Sequence, residues 1–217
     1  MVWKIIMAVL LAAFQILITL WLGIRYECIR KEKLFPKSAV FAGLGLCVAA
    51  VMNYLIFSTK SSSIITIINF CVVFTLLQAI ALIDLKTKTI PNLLLSIGCG
   101  ARIVLLIAEL LVSPETIWIS FLRSVVGLGI CLLVMLAVSF ISKHGIGYGD
   151  VKLFAYFGFC LGVLDTYYIL FYAALFASVY AVYAVLIKKE SKSTKISFGP
   201  FTYLGFVAVY FSTFIKG

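Results

Sequence analysis

Two aspartates carry the chemistry that this sequence suggests. Asp84 follows the apolar run 64–83, and Asp150 precedes the apolar run 151–164, so each acid stands where apolar sequence meets polar sequence. Ionisable residues at such positions are costly in a membrane and usually mark function. When two carboxyl groups face each other, both charges cannot form easily, so the pair shares a proton. One acid can then activate water while the other polarises a carbonyl group, which requires no metal and no other cofactor.

The sequence around Asp150 adds conformational freedom to that acid. Asp150 ends the tetrapeptide Gly147-Tyr148-Gly149-Asp150, and glycines allow sharp backbone bends and close approach of another chain. Lys152 follows two residues later and could hold a carboxylate or a substrate backbone, or extend to lipid headgroups. A glycine-rich loop whose Asp caps a helix would explain the tetrapeptide equally well by itself.

The composition indicates what kind of protein holds these residues. Of 217 residues, 64% are hydrophobic and 12% are charged, whereas about a quarter of residues are charged in soluble domains. We divide the chain into an N-terminal two-helix segment, 1–63, with a short basic loop, and a six-helix core, 64–217. Because a helix needs about 20 apolar residues to cross a bilayer, we predict an all-α polytopic membrane protein with about eight transmembrane helices, formed by residues 3–24, 39–58, 64–83, 93–112, 117–142, 151–164, 167–187 and 201–215.

The basic residues predict an orientation for this topology. The net charge is +10, and Lys and Arg concentrate in four loops that share one side of an eight-span protein, namely 25–38, 84–92, 143–152 and 188–200. Because cytoplasmic loops are enriched in Lys and Arg, we predict both chain termini outside, the basic loops in the cytoplasm and the protein in the cell membrane. Asp84 and Asp150 then reach the same cytoplasmic depth. Topology accounts for the charge, so we predict the lipid bilayer as a partner and no nucleic acid.

Two further patterns concern helix packing. Gly158 and Gly162 have the four-residue spacing that favours close contact between helices. Arg102 and Glu109 lie seven residues apart on one helical face, and together with Arg123 they predict a buried ionic cluster that fixes helix packing.

Two other functions fit a membrane protein with paired acids. A small proton- or cation-coupled transporter could use Asp84 and Asp150 as ion ligands, although transporters more often place acids near the bilayer midplane. A non-catalytic scaffold gives no reason for two acids at equal depth. The predicted position of both acids at the membrane edge therefore favours a hydrolase over a transporter or a scaffold.

Three motifs, in order over residues 64–215, resemble the type IV prepilin peptidase family, the Gly-x-Gly-Asp membrane aspartyl proteases that include archaeal preflagellin peptidases. An Asp shortly before Ile-Pro-Asn is matched by Asp84 and Ile90-Pro91-Asn92. The second motif is matched by Gly147-Tyr148-Gly149-Asp150-Val151-Lys152-Leu153, and the third by Phe198-Gly199-Pro200-Phe201. Presenilin-like proteases share only the Gly-x-Gly-Asp and have a Pro-Ala-Leu motif that this sequence lacks.

The resemblance implies that Asp84 and Asp150 are the catalytic pair. It also implies a substrate, the N-terminal leader of a prepilin or pilin-like protein, with a short basic head before an apolar helix and a cytoplasmic cut after Gly. Longer bacterial members have two CxxC pairs in a large loop after the first helix and methylate the new N-terminus with S-adenosylmethionine. Here that loop is 25–38 with Cys28 alone, so we predict a peptidase without N-methyltransferase activity. We assign candidate substrate-binding or positioning roles to Gly147, Gly149, Lys152, Gly199 and Pro200.

Overall fold

Helices form all the regular secondary structure in the described part of the chain. The computed structural model describes residues 2–26, 37–58, 63–142, 146–186 and 197–216. In these ranges, five helices are long and apolar enough to cross a membrane, namely α1, α3, α4, α5 and α7. The predicted all-α polytopic fold is confirmed, and each predicted span corresponds to one helix. Within the described ranges the order is α1 (Val2–Arg25), α2 (Lys37–Ser58), α3 (Ile64–Thr87), α4 (Asn92–Val112), α5 (Ile117–Ile141), α6 (Tyr148–Leu161), α7 (Val163–Leu186) and α8 (Gly199–Lys216).

Helix α3 extends further than its apolar run predicted. It continues one turn beyond Ile83 to Thr87, so Asp84 lies inside the helix rather than at its end. Lys88 then ends the helix in the left-handed conformation, with φ of 53°, and its backbone N–H donates to the carbonyl of Asp84 at 2.9 Å. Left-handed backbone costs a residue with a side chain about 1–2 kcal/mol. The chain then runs without helical structure to Asn92, where α4 begins.

A glycine separates α6 from α7 earlier than predicted. The sixth span was expected to reach residue 164, but α6 ends at Leu161 because Gly162 adopts a φ of 87°, which favours glycine. The guanidinium of Arg123 on α5 donates to the carbonyl of Leu161 at 2.7 Å and pairs with Asp165 on α7 at 3.1 Å. A cation at the C-terminus of a helix is electrostatically favourable. This contact holds the end of α6 against α5.

The predicted ionic cluster of Arg102, Glu109 and Arg123 is wrong. Arg102 donates to the hydroxyl of Ser124 at 2.9 Å, and Glu109 accepts a hydrogen bond from Ser120. Seven residues along a helix span about 10 Å, so hydroxyl groups on the facing helix α5 are nearer than the second charge. Arg123 instead binds the turn between α6 and α7.

Helices α5 and α6 meet backbone to backbone. A Cβ atom on Gly127 would overlap the carbonyl oxygen of Gly158, and one on Gly158 would overlap the carbonyl oxygen of Gly127. The Cα of Gly162 also lies within 3.1 Å of a Cβ placed on Gly127. The close contact predicted from Gly158 and Gly162 is therefore confirmed, and Gly127 is the partner that makes it possible.

Aromatic rings attach α8 to α3 in an antiparallel direction. Phe70, near the start of α3, contacts Tyr210, near the end of α8, with ring centroids 4.6 Å apart. One turn further along α3, Phe74 stacks on Phe206 at 5.7 Å and on Tyr203 at 5.7 Å. Such ring pairs add to the stabilisation from burial alone. This alignment places the beginning of α8 beside the C-terminal part of α3.

The N-terminal helices attach to the rest through a buried polar network. Asn53 on α2 donates to the side-chain oxygen of Gln15 on α1 at 3.0 Å, and both side chains are almost fully buried. Gln15 in turn donates to the backbone carbonyl of Cys71 on α3 at 3.5 Å. Polar side chains that satisfy one another in this way hold helices together in lipid. The division of the chain at residue 63 stays a prediction.

Candidate active site

Asp84 is a buried carboxyl group held by the start of α8. Its side chain lies near the end of α3 and is 5% exposed. Its Oδ2 atom accepts a hydrogen bond from the hydroxyl of Ser197 at 2.6 Å and another from the backbone N–H of Gly199 at 2.7 Å. A Cβ on Gly199 would lie 2.9 Å from the same oxygen, so the backbone approaches this closely because the residue has no side chain.

Asp150 lies in the first turn of α6, ahead of the apolar segment 151–164, and is half-buried. Its Oδ2 atom lies close to Gly147, because a Cβ placed on Gly147 would be 3.5 Å from it. Burial, and secondly the negative charge of Asp84, raise the pKa of the Asp150 carboxyl from 3.8 to about 7. The two acids therefore interact electrostatically across the site.

The two carboxyl groups line one open cleft of about 310 Å³. This is the size of a small ligand-binding site. The cleft lies between the end of α3, the non-helical segment 88–91 and the start of α6. Besides the two acids, it is lined by Lys88, Thr89, Ile90, Asn92, Gly147, Gly149 and Lys152.

Contacts between the first two sequence motifs close one side of this cleft. A Cβ on Gly149 would lie 3.2 Å from the Cβ of Ile90, so the segment after α3 packs directly on the start of α6. The ammonium group of Lys152 donates to the side-chain oxygen of Asn92 at 3.1 Å. This bond directs the exposed Lys152 side chain along the rim of the cleft rather than toward the surrounding solvent or lipid.

The structure brings most of the predicted site residues together, but it separates the third motif from the cleft. Asp84, Asp150, Gly147, Gly149 and Lys152 all line it. Gly199 and Pro200 are not among the described lining residues. The backbone N–H of Gly199 donates to the carboxyl group of Asp84 from outside the cleft.

Sequence reasoning missed four residues of the site. Lys88 and Thr89 line the cleft because α3 ends there, and only the left-handed conformation of Lys88 reveals that turn. Asn92 was already part of the Ile-Pro-Asn motif, but nothing paired it with Lys152. Ser197 directly precedes the third motif, and its partner Asp84 lies 113 residues earlier.

The polar side chains that line the cleft are two carboxyl groups, two amines, one hydroxyl and one amide. Among the described residues, no group of three or more His, Cys, Asp or Glu side chains converges in a way that could hold a metal ion. The expectation of metal-free and cofactor-free chemistry stays a prediction.

Comparison with known proteins gives the family of the chain. The model of the type IV leader peptidase family matches residues 70–182, which is just over half of the chain and includes Asp84 and Asp150. A curated relative, the "Prepilin leader peptidase/N-methyltransferase" of Bacillus subtilis (strain 168), is 31% identical over 139 residues. That alignment covers 64% of this chain and 53% of the relative, so the chain spans about half the relative's length. No solved structure matches significantly. With both acids inside the matched region, this chain belongs to the type IV leader peptidase family.

Proposed function

We propose that this protein is a membrane aspartyl endopeptidase that removes the short basic leader of prepilin-like proteins. The observation that carries the proposal is the pair of carboxyl groups, Asp84 from α3 and Asp150 from α6, in one open cleft. Membership of the type IV leader peptidase family supports the same activity. It also favours a peptidase over a transporter that would use the two acids as ion ligands.

The reaction follows from two acids that share one proton. The ionised carboxylate takes a proton from water while the water oxygen bonds to the scissile carbonyl carbon, and the protonated acid gives its proton to the carbonyl oxygen. The resulting gem-diol returns one hydroxyl proton to the second acid as its carbonyl re-forms. The first acid gives its proton to the leaving nitrogen as the C–N bond breaks, so both acids recover their starting states.

The glycines on the rim suit an extended peptide as substrate. Gly147 and Gly149 line the cleft without side chains, which leaves room for a peptide backbone beside Asp150. Lys152, held by Asn92, offers a cation and hydrogen-bond donor on the same rim. In this proposal these residues position the leader peptide across the two acids, and Gly199 and Pro200 position Asp84 from outside the cleft.

The proposed orientation places the cleft at the cytoplasmic face of the cell membrane. The support is the bias of Lys and Arg toward alternate loops, and eight of the 13 Lys and Arg residues in those loops lie outside the described ranges. Lys86 and Lys88 adjoin Asp84, and Lys152 adjoins Asp150, so the side that carries the acids is also basic. A leader with a basic head stays on that side for the same electrostatic reason.

We also propose that the activity is limited to peptide cleavage. The connection between Tyr26 and Lys37 is short and contains Cys28 alone, so it holds no CxxC pair. The Bacillus subtilis relative carries N-methyltransferase in its name, and this chain covers 53% of that protein. Methylation is therefore assigned to the relative and not to this chain.

The test is co-expression with a prepilin whose leader removal is followed by the change in electrophoretic mobility. Asp84→Asn and Asp150→Asn should each reduce the rate of processing at least about 100-fold, because each removes one partner of the acid–base pair. Asp165→Asn is the matched control, since this third aspartate pairs with Arg123 at the opposite end of α6. Wild-type rates in either cleft variant would contradict the paired-acid mechanism. Membrane levels of all variants should be equal.

A further inference from the structure

The two carboxyl groups of the cleft have unequal hydrogen-bond environments. Asp84 Oδ2 accepts two short hydrogen bonds, from Ser197 and from the N–H of Gly199. Within the described ranges no donor bonds Asp84 Oδ1, and no donor bonds either carboxyl oxygen of Asp150. Donors favour the ionised form of a carboxyl group, and burial without donors favours the neutral form. The surroundings therefore separate the two acids into one suited to carry a charge and one suited to keep a proton.

The donors that reach Asp84 come from the beginning of a helix. Gly199 is the first residue of α8, whose 18 residues run away from the carboxylate. The N-terminus of a helix carries partial positive charge and free N–H groups, both of which stabilise an anion. The hydroxyl of Ser197, at 2.6 Å, has the length of a hydrogen bond to a charged acceptor. The antiparallel packing of α8 on α3 keeps this arrangement in place.

We propose that Ser197 is a positioning residue that, with the N–H of Gly199, holds Asp84 as the ionised base and leaves Asp150 as the protonated acid. This inference rests on the proposed peptidase function and goes beyond it by giving each acid one role. Asp84 Oδ2 is occupied by its two donors, so Oδ1 is the atom that takes the proton from water. Asp150 then donates its proton to the scissile carbonyl oxygen and later recovers one from the gem-diol.

The charged groups around Asp84 are few, and they fit this assignment. Among the described residues, Asp150 and Lys152 from α6 and Lys88 from the end of α3 line the cleft with it. Lys86, in the last turn of α3, adjoins Asp84 in the sequence. The start of α4 contributes the neutral Asn92, and α8 contributes the neutral Ser197 and the N–H of Gly199. Burial and Asp84 raise the pKa of Asp150 to about 7, which agrees with a proton held on that acid.

The test compares pH profiles of kcat/KM for leader cleavage by detergent-solubilised protein. In Ser197→Ala the ionised Asp84 loses one hydrogen-bond donor. The acidic limb of the kcat/KM profile should therefore move toward higher pH by about one unit. Cleavage on the acidic side should then fall by about tenfold, whereas Ser197→Thr, which keeps the hydroxyl, should retain the wild-type limb. The basic limb, which reports the acid, should stay within its wild-type range.

Controls separate a positioning role from a structural one. Thr202 lies in the first turns of α8, is buried and donates to the carbonyl of Phe198 without contacting Asp84. Thr202→Val should leave the acidic limb in place even where it lowers the total rate. If Ser197→Ala does not accumulate in membranes, Ser197→Thr and Ser197→Val give the same comparison at matched side-chain size.

The outcomes distinguish this inference from the function on which it rests. If the wild type cleaves and Ser197→Ala keeps the wild-type acidic limb, the role of Ser197 is refuted and the peptidase proposal stands. An equal shift in Thr202→Val would also refute it, because the shift would then come from displacement of α8. If the wild type cleaves no prepilin-like leader, both proposals fail.

Discussion

Asp150 is a half-buried carboxyl group beside a second acid, so its ionisation opposes folding. Burial, followed by the charge of Asp84, raises its pKa from 3.8 to about 7. Because the folded protein binds this proton more tightly than the unfolded chain, the bound proton adds to the free energy of unfolding, and its contribution is fully present below pH 3.8. The contribution is lost as the pH rises from 3.8 to about 7, and the free energy of unfolding changes little from this cause at higher pH.

Asp150→Asn should remove this pH dependence. An amide resembles the protonated carboxyl group but cannot ionise, so the variant should keep its stability where the wild type loses it. We expect the wild-type Tm in detergent to fall by a few degrees relative to Asp150→Asn between pH 4 and pH 7, measured by thermal unfolding. Glu115→Gln, on the exposed turn before α5, should follow the wild-type curve. Parallel curves for wild type and Asp150→Asn would contradict the shifted ionisation.

Individual residues differ in how well a sequence predicts their role. Asp84 and Asp150 are recognisable because carboxyl groups are rare in a chain that is 64% hydrophobic. Ser197 is not recognisable, since serine is common at polar boundaries and its partner lies 113 residues away. Gly199 was assigned a substrate-binding or positioning role from its motif, but the sequence did not indicate that its N–H contacts Asp84. Contacts between distant segments depend on tertiary packing, which local pattern does not contain.

At the scale of helices, the crossing of α5 and α6 positions Asp150. Gly127 and Gly158 bring the two backbones into direct contact, and the start of α6 presents Asp150 to the cleft. The contact of Gly158 and Gly162 could be predicted from their spacing. The sequence of α5 contains both Gly127 and Gly129, and it does not tell which of them faces α6. The structure assigns the contact to Gly127, and in the described part of the chain nothing lies within 4 Å of a Cβ placed on Gly129.

Gly127→Ala and Gly129→Ala should therefore differ sharply. The added methyl group at Gly127 would overlap the backbone of α6, so the helices must separate, at a cost of roughly 1–3 kcal/mol or more. At Gly129 the same methyl group meets no atom of the described residues within 4 Å, and little change is expected. Thermal unfolding in detergent, with processing of a prepilin as a second readout, makes the comparison. Equal Tm values for the two variants would contradict the close crossing.

At the scale of the whole molecule, the bilayer makes the helix order predictable. Every backbone group in lipid must be hydrogen-bonded within the protein, and a long apolar run satisfies this by itself when it forms a helix. The way in which those helices pack is less predictable. The attachment of α1 and α2 includes hydrogen bonds among Gln15, Asn53 and the carbonyl of Cys71, three groups that come from three different helices. No periodicity in the sequence marks them as a network.

Mass spectrometry of the mature pilin N-terminus tests whether the protein cleaves the leader without methylating the new amino group. Purified protein with a prepilin and S-adenosylmethionine should remove the leader and leave an unmodified amino group, because the segment between α1 and α2 has no CxxC pair. The Bacillus subtilis relative, assayed in parallel, serves as the positive control for methylation. A methylated product formed by this protein alone would show that it has both activities.

The contact between Gly127 and Gly158 also decides which half of the cleft can move. Backbone packed on backbone leaves no layer of side chains that could rearrange, and Arg123 ties Leu161 to α5 at the other end of α6. We therefore expect helices α5 and α6 to move together as one unit that carries Asp150. Under the proposed peptidase function, we expect a bound peptide to displace the opposite wall, which carries Asp84 and the start of α8 that holds it. The two acids would then close by a hinge movement of the α3–α8 pair toward Asp150.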